Sequence, residues 1–450
     1  MKSFHCDHCD SLVFFENLVC ANCSHALAFV PSLGSITALE PAGDDLWQSA
    51  APLGSPPADA APRYRKCQNY VAENICNWAV DADDPNPLCV SCRLTQTIPA
   101  LDRPGHRDAW FRLEAAKRRL IYSLLELRLA IPSKAEDEAT GASFQFLADQ
   151  PQASGDEGRV LTGHDNGVIV INVAEADDAE RERRRVQMHE PSRTLLGHLR
   201  HEIGHYYWDR LIADSSRLET FREQFGDERQ DYATTLQAYY DNGAPADWQQ
   251  RFVSAYASAH PWEDWAETWA HYLHITDTLE TADACGLSLQ PHRNDEPLLI
   301  QQRPPNNPAE QDFALMIERW FPLTYLLNNL NRGLGLPDAY PFVLSPSALE
   351  KLRFVHETLN PQAQHQRLPE APEQSQEQVQ VQRHEGQSQS QGRDQTQDQA
   401  QDQAQIKGGV GQVTGNAADR ESTAFATELP NNPTAASNPP KRPKPTAATS

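Results

Sequence analysis

Apolar positions first recur at helical spacing between Asp108 and Ala130, where Trp110, Phe111, Leu113, Leu120, Ile121, Leu124, Leu125 and Leu127 share a face. This pattern predicts an amphipathic helix. The spacing then changes: RVLTGHDNGVIVINV reads as two apolar strands about Asn166-Gly167, a dipeptide suited to the positive φ angles of a tight hairpin turn. Pro191 and Ser192 are placed to open the next helix, which runs through Leu195, Leu196, Leu199 and Trp208 to about Ile212. Further helices are predicted over Asp247–Ala259, Trp262–Ile275, Glu310–Asn331 and Ser347–Thr358. The middle of the chain therefore reads as helical with one β element.

Composition divides the rest. The 450 residues suffice for two to four domains and a sizeable core. A Pro/Ala/Gly-rich connector runs from Pro41 to Pro62, and from Pro361 onward the chain turns to Gln-rich text that has too little apolar surface to offset its ordering entropy. Disorder is expected for 361–450. With 39 basic and 62 acidic side chains the net charge is −23, which argues against nucleic-acid binding through bulk positive charge and against attachment to an anionic membrane. MKSFHCDHCD has no apolar signal region, and no stretch approaches the length of a spanning helix. A cytoplasmic location is the expectation.

Eight of the nine cysteines lie in the first fifth of the chain, and only Cys285 stands apart. Cys6, Cys9, Cys20 and Cys23 form two CxxC pairs, an arrangement that offers four thiolates to one tetrahedral zinc with no open position. Cys67, Cys76, Cys89 and Cys92 are more widely spaced and suggest a second structural zinc, with cross-pairing between the clusters left open. Zinc would here replace a core too small to fold alone.

The segment LLGHLRHEIGHYYWDRLI contains His201-Glu202-Ile203-Gly204-His205. On a helix, positions i and i+4 share a face, so His201 and His205 can present both imidazoles to one zinc, while Glu202 lies beside the open coordination position as a base for water. A third ligand is needed. Glu263, Glu267 and His271 lie along one face of the predicted helix after Pro261, and the first of them sits in the first turn. Tyr256 and His260 are rival donors to a developing oxyanion. Asp209 is placed one turn after His205, where it could accept a ring N–H. His198 reads as a packed or supporting histidine, and His271 and His274 as packing or surface residues.

The start with two cysteine clusters, LCVSCRL followed by IPAL, RTLLGHLRHEIGHYYWDRLI, and FVSAYASAHPWEDWAETWAHYLHI together resemble the bacterial family of zinc-binding metallopeptidases with an N-terminal zinc ribbon, from residue 1 to about 360. The second helix is similar to the downstream glutamate helix of gluzincins. That resemblance implies Glu263 as the third zinc ligand, Glu267 as a support for a ligand histidine, and peptide-bond hydrolysis by a zinc-bound water that Glu202 activates. The expected fold class is α+β: a zinc-ribbon region over 1–95, a mainly helical zincin-like domain with a small β-sheet over 100–360, and the tail. One catalytic zinc and one or two structural zinc ions are implied. The substrate would be a peptide or protein, and ribbons or tail could engage a protein partner. Two other functions fit the same residues: a zinc-held binding module without peptidase activity, and hydrolysis of a non-peptide amide.

Overall fold

The computed structural model describes residues 2–54, 62–149, 160–187, 193–293, 295–302 and 307–360. The tail from Pro361, expected to be disordered, lies outside the described residues. The fold is mixed helix and sheet, with a zinc-ribbon region followed by a helical domain.

The ribbon region opens with β1 (Phe4–His5) and β2 (Leu12–Val13), an antiparallel pair. A five-stranded antiparallel sheet follows, made of β3 (Ala26–Val30), β4 (Ser35–Pro41), β5 (Trp47–Ser49), β6 (Arg63–Lys66) and, after the short helix α1 (Gln68–Val71), β7 (Ala79–Asp81). Phe4, Phe15 and Phe29 bury their rings against Tyr122, which belongs to α2 (His106–Glu126), and Trp78 packs on Phe29 behind them. The ribbon's core is therefore continuous with that of the helical region.

Helix α2 ends at Glu126, four residues short of the expected Ala130. Leu127 caps it and Arg128 takes a positive φ of 57°, so the chain turns away. The β element is larger than expected. β8 (Thr95–Thr97), β9 (Ser143–Leu147), β10 (Gly163–Asp165) and β11 (Val168–Asn172) form one sheet in the order β10-β11-β9-β8, with β9 parallel to both its neighbours. The hairpin itself is where the Asn166-Gly167 signal put it: Asp165 pairs with Val168, and the two turn residues have φ of 44° and 78°.

After α3 (Asp178–Gln187), helix α4 (Leu195–Leu211) is opened by Thr194, whose Oγ1 accepts the Gly197 N–H at 2.9 Å. Pro191 and Ser192, expected to open it, lie outside the described residues. α5 (Leu218–Phe225) and α6 (Tyr232–Asn242) come next, neither of them predicted. The single helix expected over Asp247–Ala259 is broken. α7 (Trp248–Arg251) stops where Phe252 turns extended, and a 3-10 turn covers Tyr256–Ser258. Three expected helices are present as α8 (Pro261–Ala284), α9 (Phe313–Gly333) and α10 (Pro346–Leu359).

α4 and α8 form the main helix seam. Trp265, Trp269 and Tyr272 of α8 are fully buried, Trp269 stacks on Tyr207 at 4.9 Å, and the Trp265 indole donates to the Gly204 carbonyl at 2.8 Å. Gly204 permits the close approach, since a Cβ there would stand 3.1 Å from the Ala266 Cα. Among the described residues no helix is long and apolar enough to cross a membrane.

Candidate metal centres

Each cysteine cluster converges on its own point. The Cys6, Cys9, Cys20 and Cys23 sulfurs lie within 4.8 Å of one another, as do those of Cys67, Cys76, Cys89 and Cys92, and no described cysteine is in a disulfide. Cys6–Cys23 and Cys9–Cys20 are 3.6 Å apart, and Cys76–Cys89 is 3.8 Å. A tetrahedron with Zn–S bonds of about 2.3 Å has sulfur edges of about 3.8 Å, so the donor sets fit zinc. Backbone N–H groups of Cys89 and Cys92 point at the Cys67 and Cys89 sulfurs at 3.3 and 3.4 Å, which favours thiolates.

The third cluster lies on the α4–α8 seam. His201 and His205, one turn apart on α4, bring their Nε2 atoms to 3.2 Å, and Glu263, in the first turn of α8, places Oε2 3.0 Å from His201 Nε2 and Oε1 3.6 Å from His205 Nε2. Glu263 is 1% exposed, and its Oε2 has no hydrogen-bond donor among the described residues. His201 Nδ1 is 2.7 Å from Glu267 Oε1, and a carboxylate there requires the proton on Nδ1, so Nε2 presents a lone pair. The His201 Nε2 lone pair, His205 Nε2 and the donor-less Glu263 Oε2 thus face a common point, where a cation or a proton would relieve the crowding of acceptors. Although burial disfavours its charged form, Glu263 and Glu267 push the His201 pKa well above its ordinary range; His205 and His201 hold Glu263 well below its own despite burial. The donor set fits a divalent cation of zinc's kind.

Supporting residues extend from this point. Ser254 donates to Glu267 Oε2 at 2.6 Å, which completes a Ser254–Glu267–His201 chain of hydrogen bonds from a segment just past the extended Phe252. Glu202 is 8% exposed and borders a cleft of about 630 Å³ that also takes in Tyr256, Tyr240, His271 and Tyr340. Burial raises the Glu202 pKa above the ordinary carboxylate range. The Tyr256 ring lies 6.0 Å from that of His201, with its hydroxyl free of any hydrogen bond to described residues.

His260 differs from the expectation of an oxyanion donor. Its Nδ1 accepts the Trp262 N–H at 3.1 Å, capping α8, and its Nε2 is 3.2 Å from the Gln230 carbonyl, so both ring nitrogens are engaged in structure. Asp209 is exposed and makes no hydrogen bond to His205 among the described residues. His198 faces Glu175 at 3.4 Å, and His271 is buried with Nδ1 2.6 Å from the Tyr340 hydroxyl. His274 packs its ring against Tyr340 and Trp320.

Three contributors escaped the sequence reading: Ser254, His164, whose ring lies nearly parallel to that of His205, and Tyr232, whose hydroxyl donates to Glu263 Oε1 at 2.7 Å. None stands at a motif spacing.

Comparison with known proteins gives a family model described as "Putative zinc-binding metallo-peptidase", which matches residues 106–358, and a zinc-ribbon domain, which matches residues 3–103. Proteins of two Mycobacterium tuberculosis strains and of Mycobacterium bovis, each named only as an uncharacterized protein, are 43% identical over 357 residues, covering 79% of this chain and 94% of theirs. No solved structure matches the chain.

Proposed function

The chain belongs to the zinc-binding metallo-peptidase family, and from that membership we propose that it is a zinc-dependent peptidase of gluzincin type, with a catalytic site held by His201, His205 and Glu263. The observation that carries this reading is the convergence of two imidazole Nε2 atoms and a buried, donor-less carboxylate oxygen at the border of a cleft that Glu202 also faces. Zinc at that point supplies Lewis acidity, polarising a carbonyl and making water acidic enough to lose a proton near neutral pH.

Glu202 takes the proton from the water that attacks the peptide carbonyl and returns it to the nitrogen of the breaking C–N bond, which leaves as an amine. Tyr256 donates its free phenolic O–H to the oxyanion that the attack creates. Glu267, braced by Ser254, fixes the His201 tautomer so that Nε2 faces inward. The two four-cysteine clusters hold structural zinc and take no part in the reaction. A peptide or protein is the substrate.

The test compares the full chain with Glu202→Gln on an unbiased peptide library while zinc content is measured in parallel. The amide keeps the shape and removes the base, so zinc is retained and cleavage falls at least about 100-fold, the low end for general-base catalysis. Turnover of Glu202→Gln within a few-fold of the parent would refute the mechanism, and no cleavage by the zinc-loaded parent would refute the peptidase reading.

A further inference from the structure

Glu263 has two carboxylate oxygens and a single place to send one of them. Oε2 lacks a donor and faces His201 Nε2, whereas Oε1 accepts the Tyr232 hydroxyl at 2.7 Å and stands further off, 3.6 Å from His205 Nε2. Tyr232 is the first residue of α6, a helix with no buried residue. Its position is nonetheless fixed. Asp231 caps α6 by accepting the Thr234 N–H at 2.8 Å, and the neighbouring Gln230 carbonyl receives His260 Nε2–H, the same imidazole whose Nδ1 caps the first turn of α8, where Glu263 sits. The Tyr232 ring adds edge contact with His260 at 5.2 Å. One imidazole therefore locks the start of α6 to the start of α8, and the phenol crosses the gap between them.

We propose that Tyr232 is a positioning residue of the metal site, whose hydroxyl occupies Glu263 Oε1 and so presents Glu263 to the metal through Oε2 alone. The proposal rests on the reading of His201, His205 and Glu263 as the metal ligands. A carboxylate free to offer both oxygens would take up an extra coordination position, and the fourth position must stay open for water if the site is to be catalytic. Holding Oε1 also fixes the carboxylate's rotamer before any ion arrives, which lowers the ordering cost of binding. Hydrogen-bond partners of metal ligands are worth about 10–100-fold in metal affinity.

The experiment uses the full chain with its ribbons kept zinc-loaded and its His201/His205/Glu263 site emptied by a mild chelator. Zinc affinity at that site is measured by chelator competition for the parent, Tyr232→Phe and Tyr239→Phe, and the visible spectrum is recorded after cobalt(II) is added to the same site. In Tyr232→Phe the zinc dissociation constant rises about 10–100-fold, the melting temperature of the protein with that site empty stays at the parental value because the ring is kept, and the cobalt absorption weakens as the coordination number rises. Tyr239→Phe, which removes another phenol from the same helix, behaves as the parent. Parental affinity and spectrum in Tyr232→Phe would overturn the proposal, as would an equal loss in Tyr239→Phe or an affinity loss accompanied by a lowered melting temperature. Glu263→Ala separates the two readings: tight zinc binding without Glu263 defeats the ligand assignment, whereas zinc that depends on Glu263 and ignores Tyr232 defeats this proposal alone.

Discussion

Gly204 is the second variable position of the HExxH segment, and replacing it with alanine sets two known effects against each other. A Cβ at this position would lie 3.1 Å from the Ala266 Cα, 3.2 Å from Trp269 Cδ1 and 3.3 Å from Trp269 Cβ. Ordinary carbon contacts begin near about 3.5 Å, so α8 has to recede by about half an ångström. Alanine in place of a mid-helix glycine gains about 1 kcal/mol, and overpacking a tight seam costs about 1–3 kcal/mol. The expected net is a loss of about 0–2 kcal/mol, small because the terms oppose. The metal site has less tolerance. Ala266 lies three residues after Glu263 and next to Glu267, while metal–ligand distances are held to about 0.2 Å, so the same recession would pull the proposed ligand Glu263 and the supporting Glu267 away from His201. Gly204→Ala should therefore bind zinc at least about 10-fold more weakly at this site, as measured by chelator competition, with only a modest change in urea unfolding. A variant stabilised by about 1 kcal/mol that keeps parental zinc affinity would show that the seam is not tight, and the reasoning would fail.

Three further outcomes are expected. Glu263→Ala should abolish tight zinc binding at the HExxH site and Glu267→Ala should weaken it about 10–100-fold; the reverse order in a metal competition assay would reassign the ligand. Cys6→Ser and Cys20→Ser should each lower bound zinc by elemental analysis while the HExxH site keeps its metal, and an unchanged stoichiometry would remove the first ribbon site. Burial alone would raise the Glu175 pKa, but His198 and Arg193 hold it at about 2 against an ordinary 4.5. A depressed carboxylate contributes stability above its unfolded pKa and loses it as pH falls through the folded one, so the stability gap between the parent and Glu175→Gln should be full above pH 4.5 and close toward about pH 2. A gap independent of pH in urea unfolding would sink that account.

The parts legible in the sequence are those governed by local periodicity. The four-residue spacing that puts His201 and His205 on one face of α4 also aligns Glu263 and Glu267 on α8, and Asn166-Gly167 encodes its turn through backbone conformation alone. Parallel pairing is different. β9 joins β8 and β11 from segments separated by a long helix and a loop, and nothing in five residues such as SFQFL names a partner. The expected helix over Asp247–Ala259 is broken at Phe252, and the Ser254–Glu267 hydrogen bond just beyond the break lies outside any local pattern. Tyr232 was invisible on the same ground, because the carboxylate its hydroxyl meets belongs to a residue 31 positions away.

His201 and His205 reach the same point yet are oriented by different physics. His201 has a proton-accepting carboxylate behind it, and Glu267 is itself pinned by Ser254, so both the direction and the tautomer of the ring are set. His205 has no such partner among the described residues, since Asp209 is exposed and unbonded to it. Its ring instead lies at 14° to that of His164, with centroids 6.1 Å apart. His164 is rigid, because its Nε2 accepts the Gly167 N–H at 2.9 Å within the hairpin turn, and burial together with His205 lowers its pKa to about 4. A neutral imidazole can face a cation-binding ring without repelling the cation. A parallel ring restrains direction but leaves the tautomer free, so the side of His205 that carries the proton is decided by whatever occupies the site. The consequence is asymmetric: removing Glu267 should disturb His201 deeply, removing Asp209 should disturb nothing, and the Asn166-Gly167 turn, readable in sequence only as a hairpin signal, belongs through His164 to the scaffold of the proposed metal site.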